Sequence, residues 1–152
     1  MVYLQSFFST PMAPPVSVAR WQPRGFHHPE VRCLAPFDAG GRPIRGLAPG
    51  QYLEAYAAAL ASRWPEAFRT LNSFRYRDVS LLCWCNPERQ RAYPRLFCHT
   101  VLIGFLAEYM GLPVVYLDGR ENPVWDAADR QRFLALVARK EVCSSAESSR
   151  CP

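Results

Sequence analysis

Lysine is almost missing from this chain: Lys140 is the only one among 18 basic residues. The formal net charge of +5 is therefore carried by arginine, which together with many alanines and 14 prolines matches a GC-rich coding composition. The charge alone is thin support for a polyanion partner, and any binding of nucleic acid or another anion needs a reason at the level of a site. Long apolar runs are missing too. The longest, over 101–107, falls far short of the about 20 residues that cross a bilayer, so no membrane role is expected. The opening MVYLQSFFSTPMAPP has no basic start and is interrupted at Gln5 and Ser6, which does not describe a secretory leader. Six cysteines would suit a disulfide framework in a secreted chain. With no other secretory feature, the expectation is a cytoplasmic protein with mostly free thiols.

No internal repeat is visible, and 152 residues suffice for one core. We expect a single domain over residues 1–142 and a disordered tail, CSSAESSRCP, over 143–152. VYLQSFF (Val2 to Phe8) and VSVAR (Val16 to Arg20) read as short strands separated by STPMAPP, and the Pro- and Gly-rich stretch that follows favours an irregular path. Tyr52, Ala55, Tyr56, Ala59 and Leu60 repeat at helical spacing behind Pro49. Pro65 should then open a second helix through Leu71. DVSLLCWC (Asp78 to Cys85) has the continuous apolar character of a strand buried on both faces. His99 to Met110 reads as a buried helix closed by Gly111. Pro113 to Leu117 reads as a further strand, and DGRENP as a turn. Asp126 then suits the N-cap of an amphipathic helix through about Lys140.

Strands interleaved with helices imply an α/β domain: a mainly parallel sheet of the flavodoxin or Rossmann-like three-layer kind, with helices on its faces. Ligands of such sheets bind beyond the carboxyl ends of the strands. That edge is where Cys83, Cys85, Cys98 and His99 gather, because the Leu81 strand ends there and the next helix begins. If the first strands run parallel to it, Ser6 with Phe7 and Arg20 with Trp21 reach the same edge.

The motifs SFF, VSVARWQPRGF, CLAP, the Tyr52/Tyr56 helix, DVSLLCWC and FCH before an apolar helix occur here in the order seen in a bacterial and phage family, domain of unknown function 488, which the chain resembles over about Tyr3 to Leu117. The resemblance implies a compact α/β domain and supplies no settled activity. Thr100 stands where many relatives follow Cys-His with arginine, and Cys85 where many have Glu. The connection from Asn86 to Phe97 is longer than usual.

Cys98 and His99 are the candidate reactive or anion-contacting pair, since a helix N-terminus favours a thiolate or a bound anion and histidine exchanges protons near neutral pH. Arg20 and Arg24 are the candidate charge partners, and Ser6, Trp21 and Cys83 the pocket wall. The plainer alternative is that the cysteines pack beneath the sheet and His99 caps a helix. NPERQRAYPRLF is long enough for a lid, with Arg89, Arg91, Arg95 and Tyr93 available to phosphates and bases. His27 and His28 read as exposed loop residues. No metal is expected: C-x-C is not the usual zinc spacing, and adjacent helical residues such as Cys98 and His99 point about 100° apart. A Cys83 to Cys85 disulfide is disfavoured, since two strand steps place the Cα atoms near the upper limit for a bridge. No cofactor is expected. The sequence thus points to binding, with or without processing, of a nucleotide or another phosphorylated or nucleic-acid ligand. The alternative is a non-catalytic, phage-type protein that occupies a host protein.

Overall fold

The computed structural model describes residues 1–85 and 93–147, with side chains of the final helix described to residue 138. Every residue of strand β3, Val79–Cys83, is buried, as a continuous apolar run of strand length requires. The strand lies inside a sheet of order β2-β3-β1-β4, with β1 at Val2–Ser6, β2 at Pro15–Ser17 and β4 at Val114–Tyr116. All three ladders are parallel. Pro15 can open β2 because β2 is an edge strand, where a missing N–H costs no ladder bond.

The helices are α1 (Pro49–Ser62), α2 (Trp64–Ser73), α3 (His99–Tyr109) and α4 (Ala127–Glu147), giving the expected three-layer α/β domain. Helix α3 is apolar and buried from His99 through Ala107. It approaches the sheet so closely that a Cβ on Gly104 would come within 2.7 Å of both a Leu4 methyl carbon and the Tyr116 hydroxyl. Gly111, at φ +76°, ends the helix, and the amides of Gly111 and Leu112 donate to the Glu108 and Ala107 carbonyls in a Schellman closure. Asp126 caps α4 by accepting from the amides of Ala128 at 2.8 Å and Asp129 at 2.9 Å. That helix continues to Glu147, past the expected end near Lys140, because nothing from Glu141 to Glu147 is Gly or Pro. Residues 143–147 of the expected tail are thus helical, and 148–152 lie outside the described residues.

The other face of the sheet carries Gln5 and Ser80, whose polar atoms strap the Pro-rich connection in place. The Ser80 hydroxyl donates to Gln5 Oε1 at 2.8 Å and accepts from the Ala13 amide at 3.0 Å. Gln5 also accepts from the Met12 amide and donates to the Thr10 carbonyl, each at 3.0 Å. The irregular stretch before α1 is pinned from the helix side: the Arg63 guanidinium donates to the carbonyls of Cys33, Ala35 and Phe37, and the Tyr56 hydroxyl to that of Leu34. A segment without its own ladder thereby has its buried carbonyls satisfied. Among the described residues no helix is long and apolar enough to cross a membrane.

Gly104→Ala is expected to lower stability by about 1–3 kcal/mol, because the added methyl meets both a strand and a tyrosine in a close-packed layer. Urea denaturation checks this, and an unchanged midpoint would contradict the close approach of α3.

Candidate functional site

Parallel pairing brings Ser6 level with Cys83, and Ser17 level with Leu82, so the chain leaves β1, β2 and β3 at one edge. Arg120, on the loop after β4, comes to the same edge, since β4 also runs parallel to β1. Cys98 is the N-cap of α3, with extended angles of φ −147° and ψ 130°. Its sulfur does not cap the helix and instead lies 3.0 Å from Cys83 Sγ and 3.0 Å from Thr100 Oγ1. Cys83 Sγ also accepts from Arg120 Nη2 at 3.1 Å and from the Cys85 amide at 3.3 Å. Arg120 is completely buried, and its Nε donates to Thr100 Oγ1 at 2.9 Å and its Nη2 to the Cys85 carbonyl at 3.3 Å. Asp118 Oδ2 stands 3.9 Å from this guanidinium while accepting the Ser6 amide at 2.7 Å. Asp118 itself holds a φ of +55°, a left-handed conformation that Asp tolerates better than most residues.

Burial opposes ionisation of Cys98, yet hydrogen bonding with Cys83 and Cys85, the Arg120 charge and the Thr100 hydroxyl together hold its thiol well below the ordinary range. Cys85 moves the opposite way, pushed well above it by its contacts with Cys83 and Cys98 and by burial. Within the cluster, ionisation is thus favoured at Cys98 and disfavoured at Cys85. Burial likewise opposes the Arg120 charge, and the surrounding sulfurs more than restore it. His99 is pulled below its usual value chiefly by burial, so its ring is neutral at pH 7. Its Nε2–H donates to the Val18 carbonyl at 2.8 Å, which leaves Nδ1 with the lone pair.

Above this floor opens a cavity of about 480 Å³. Arg20, Trp21, Cys83, Cys98 and His99 all line it, together with Cys85, so residues from three separated parts of the chain share one concavity. Arg45, Tyr52 and Phe97 join them, with Tyr52 and Phe97 meeting edge to face at 4.9 Å. The Arg20 guanidinium lies 4.7 Å from the Trp21 ring, and its Nη1 is buried without a hydrogen-bond partner among the described residues.

Two expected members do not take part. Ser6 is buried beside the Asp118 loop, where its hydroxyl accepts the Phe8 amide, and it does not line the cavity. Arg24 is exposed and outside it, because the Pro-rich stretch turns away after Trp21. Arg89 and Arg91 of the expected lid lie outside the described residues, whereas Tyr93 packs against Phe97 at 5.3 Å and Arg95 is exposed. The angular objection to a shared Cys98–His99 ligand set also falls. Cys98 precedes the helix with extended angles, so the 100° step does not govern it, and the ligand atoms of Cys83, Cys98 and His99 lie within 4.8 Å of one another. His27 is exposed as expected, while His28 is half-buried, parallel to the Phe7 ring.

Arg120 is the residue that sequence reasoning missed. DGRENP read only as a turn, although the parallel-sheet rule places the loop after β4 on the ligand edge as surely as the loop after β3. Comparison with family models, curated proteins and solved structures gave no match.

Arg120→Lys is expected to destabilise the protein by about 2 kcal/mol, because one ammonium cannot reach Thr100, Cys83 and the Cys85 carbonyl together and leaves buried acceptors unmatched. Urea denaturation checks it, and wild-type stability would show that the guanidinium fork is not needed.

Proposed function

We propose that the protein binds a nucleotide or a similarly phosphorylated ligand carrying a planar ring in the cavity over the cysteine cluster. The observation that carries this reading is Arg20: a guanidinium on the cavity wall with a buried nitrogen that no group among the described residues satisfies. A buried donor without a partner is costly, and an anion in the cavity would satisfy it with a charge-assisted bond. Arg45 adds a second cation, and none of the described lining residues is Asp or Glu. Trp21, Tyr52, Phe97 and Trp84 give the same cavity an aromatic wall, suited to stacking a base or another flat ring. Its volume falls within the about 300–1,000 Å³ of small-molecule sites. The resemblance to the domain of unknown function 488 family rests on its motif residues and is compatible with this reading. Where that family's pattern has arginine after Cys-His, Thr100 here accepts from Arg120, so a guanidinium stands beside the junction although it comes from another loop.

A second reading rests on the surface beside the cavity. Phe8 is 48% exposed, Trp21 51% and Trp84 39%. The Trp84 ring meets Phe8 at 5.9 Å, and its indole N–H donates to the Trp21 carbonyl at 2.6 Å, so the three form one apolar patch of the kind that docks a protein partner. Under that reading, replacing Phe8, which does not line the cavity, by Ser would abolish any growth effect of expressing the chain and leave ligand binding intact.

Titration with AMP, adenosine and ribose 5-phosphate, followed by tryptophan fluorescence, tests the preferred function. AMP is expected to bind best, and Arg20→Met to weaken it by about tenfold or more, the loss of one charge-assisted bond. Equal binding of AMP and adenosine, or no response to AMP, would refute it.

A further inference from the structure

We propose that Cys83, Cys85, Cys98 and His99 hold one zinc ion, which ties the end of β3 to the start of α3. The donor set comes first. Cys83, Cys98 and His99 present ligand atoms within 4.8 Å of one another, and all three are buried. Cys85 packs against Cys83 and Cys98 and its amide donates to Cys83 Sγ, which leaves its thiol at hand as the fourth ligand. Three sulfurs and one imidazole nitrogen form a set that suits tetrahedral zinc.

The surroundings of each ligand point the same way. Cys83 Sγ accepts from Arg120 and from the Cys85 amide, Cys98 Sγ meets the Thr100 hydroxyl, and His99 is oriented through Nε2–H on the Val18 carbonyl. Ligating side chains are characteristically held by such outer partners, and a histidine anchored through one nitrogen offers the other. Charge is also balanced: three thiolates and a neutral imidazole around Zn²⁺ leave one negative charge beside the fully buried Arg120. Zn–S bonds of about 2.3 Å set sulfurs about 3.8 Å apart in a tetrahedron. The Cys83 and Cys98 sulfurs, at 3.0 Å, therefore separate by about 0.8 Å when the ion enters. Binding releases the remaining thiol protons to solvent and changes no oxidation state.

The test uses the full chain, purified under reducing conditions, stripped with chelator and returned to Zn²⁺ or Co²⁺ alone. One metal per chain is expected, with cobalt giving thiolate charge-transfer absorption and the visible bands of a tetrahedral centre. Cys83→Ser and Cys98→Ser should lose the metal, whereas Cys33→Ser, remote from the cluster, should keep it. Cys85→Ser should cut the thiolate band by about a third, since two of three sulfurs remain. Because a variant can fail to fold, the wild-type reading decides. Folded wild-type chain that takes up no zinc overturns the proposal, as does uptake that Cys83→Ser leaves unchanged. A Cys85→Ser band equal to wild type overturns the four-ligand set. AMP binding through Arg20 is a separate readout, so failure here leaves the ligand pocket standing and the reverse also holds.

Discussion

Arg120 is a fully buried cation whose nearest carboxylate oxygen is 3.9 Å away, and the architecture of the ligand edge follows from satisfying it. A lone buried charge would cost several kcal/mol. Here the guanidinium spends its donors on Thr100 at the start of α3, on Cys83 and the Cys85 carbonyl at the end of β3, and on the Leu117 carbonyl after β4. One side chain thus fixes the relative positions of three elements. Electrostatics runs in both directions through it: the cation favours the Cys98 thiolate, and the sulfurs sustain the cation.

That arrangement sets what lies above it. With the floor fixed, Cys83, Cys98 and His99 form an ordered base to the cavity, and Arg20 and Trp21 reach it from the chain leaving β2. The polar bonds inside the floor are largely mutual, whereas Arg20 keeps one buried nitrogen unmatched among the described residues. The contrast divides the labour: Arg120 serves structure and the charge of the cluster, and under the proposed function Arg20 is the group that meets the ligand. The proposed anion site thus draws on Arg20, since Thr100 stands where the family resemblance would place arginine.

Much of this was legible in the sequence, for reasons that can be named. The VSLLC run, buried throughout, and Asp126 with its two amide donors are local signals that the tertiary structure reinforces. Parallel pairing then carried Arg20, Trp21, Cys83, Cys98 and His99 to one concavity, because the carboxyl-edge rule depends only on strand direction. Ser6 missed the cavity because being level with Cys83 in the ladder does not decide which loop covers a side chain. Arg24 missed it because no period governs a Pro-rich segment. Arg120 was hidden for a different reason: an arginine in a polar turn has no pattern that separates an exposed position from a wholly buried one. The helical angle for Cys98 and His99 was misapplied by a single residue, since the helix starts at His99 and Cys98 only caps it.

The most direct measurement of the central claim is a crystal structure of the full chain grown with AMP. The phosphate is expected within hydrogen-bond distance of Arg20, with the adenine against the aromatic wall of Trp21, Tyr52 and Phe97, above an undisturbed Arg120–Cys83–Thr100 floor. Density for AMP at another surface, with Arg20 still unpartnered, would contradict the account.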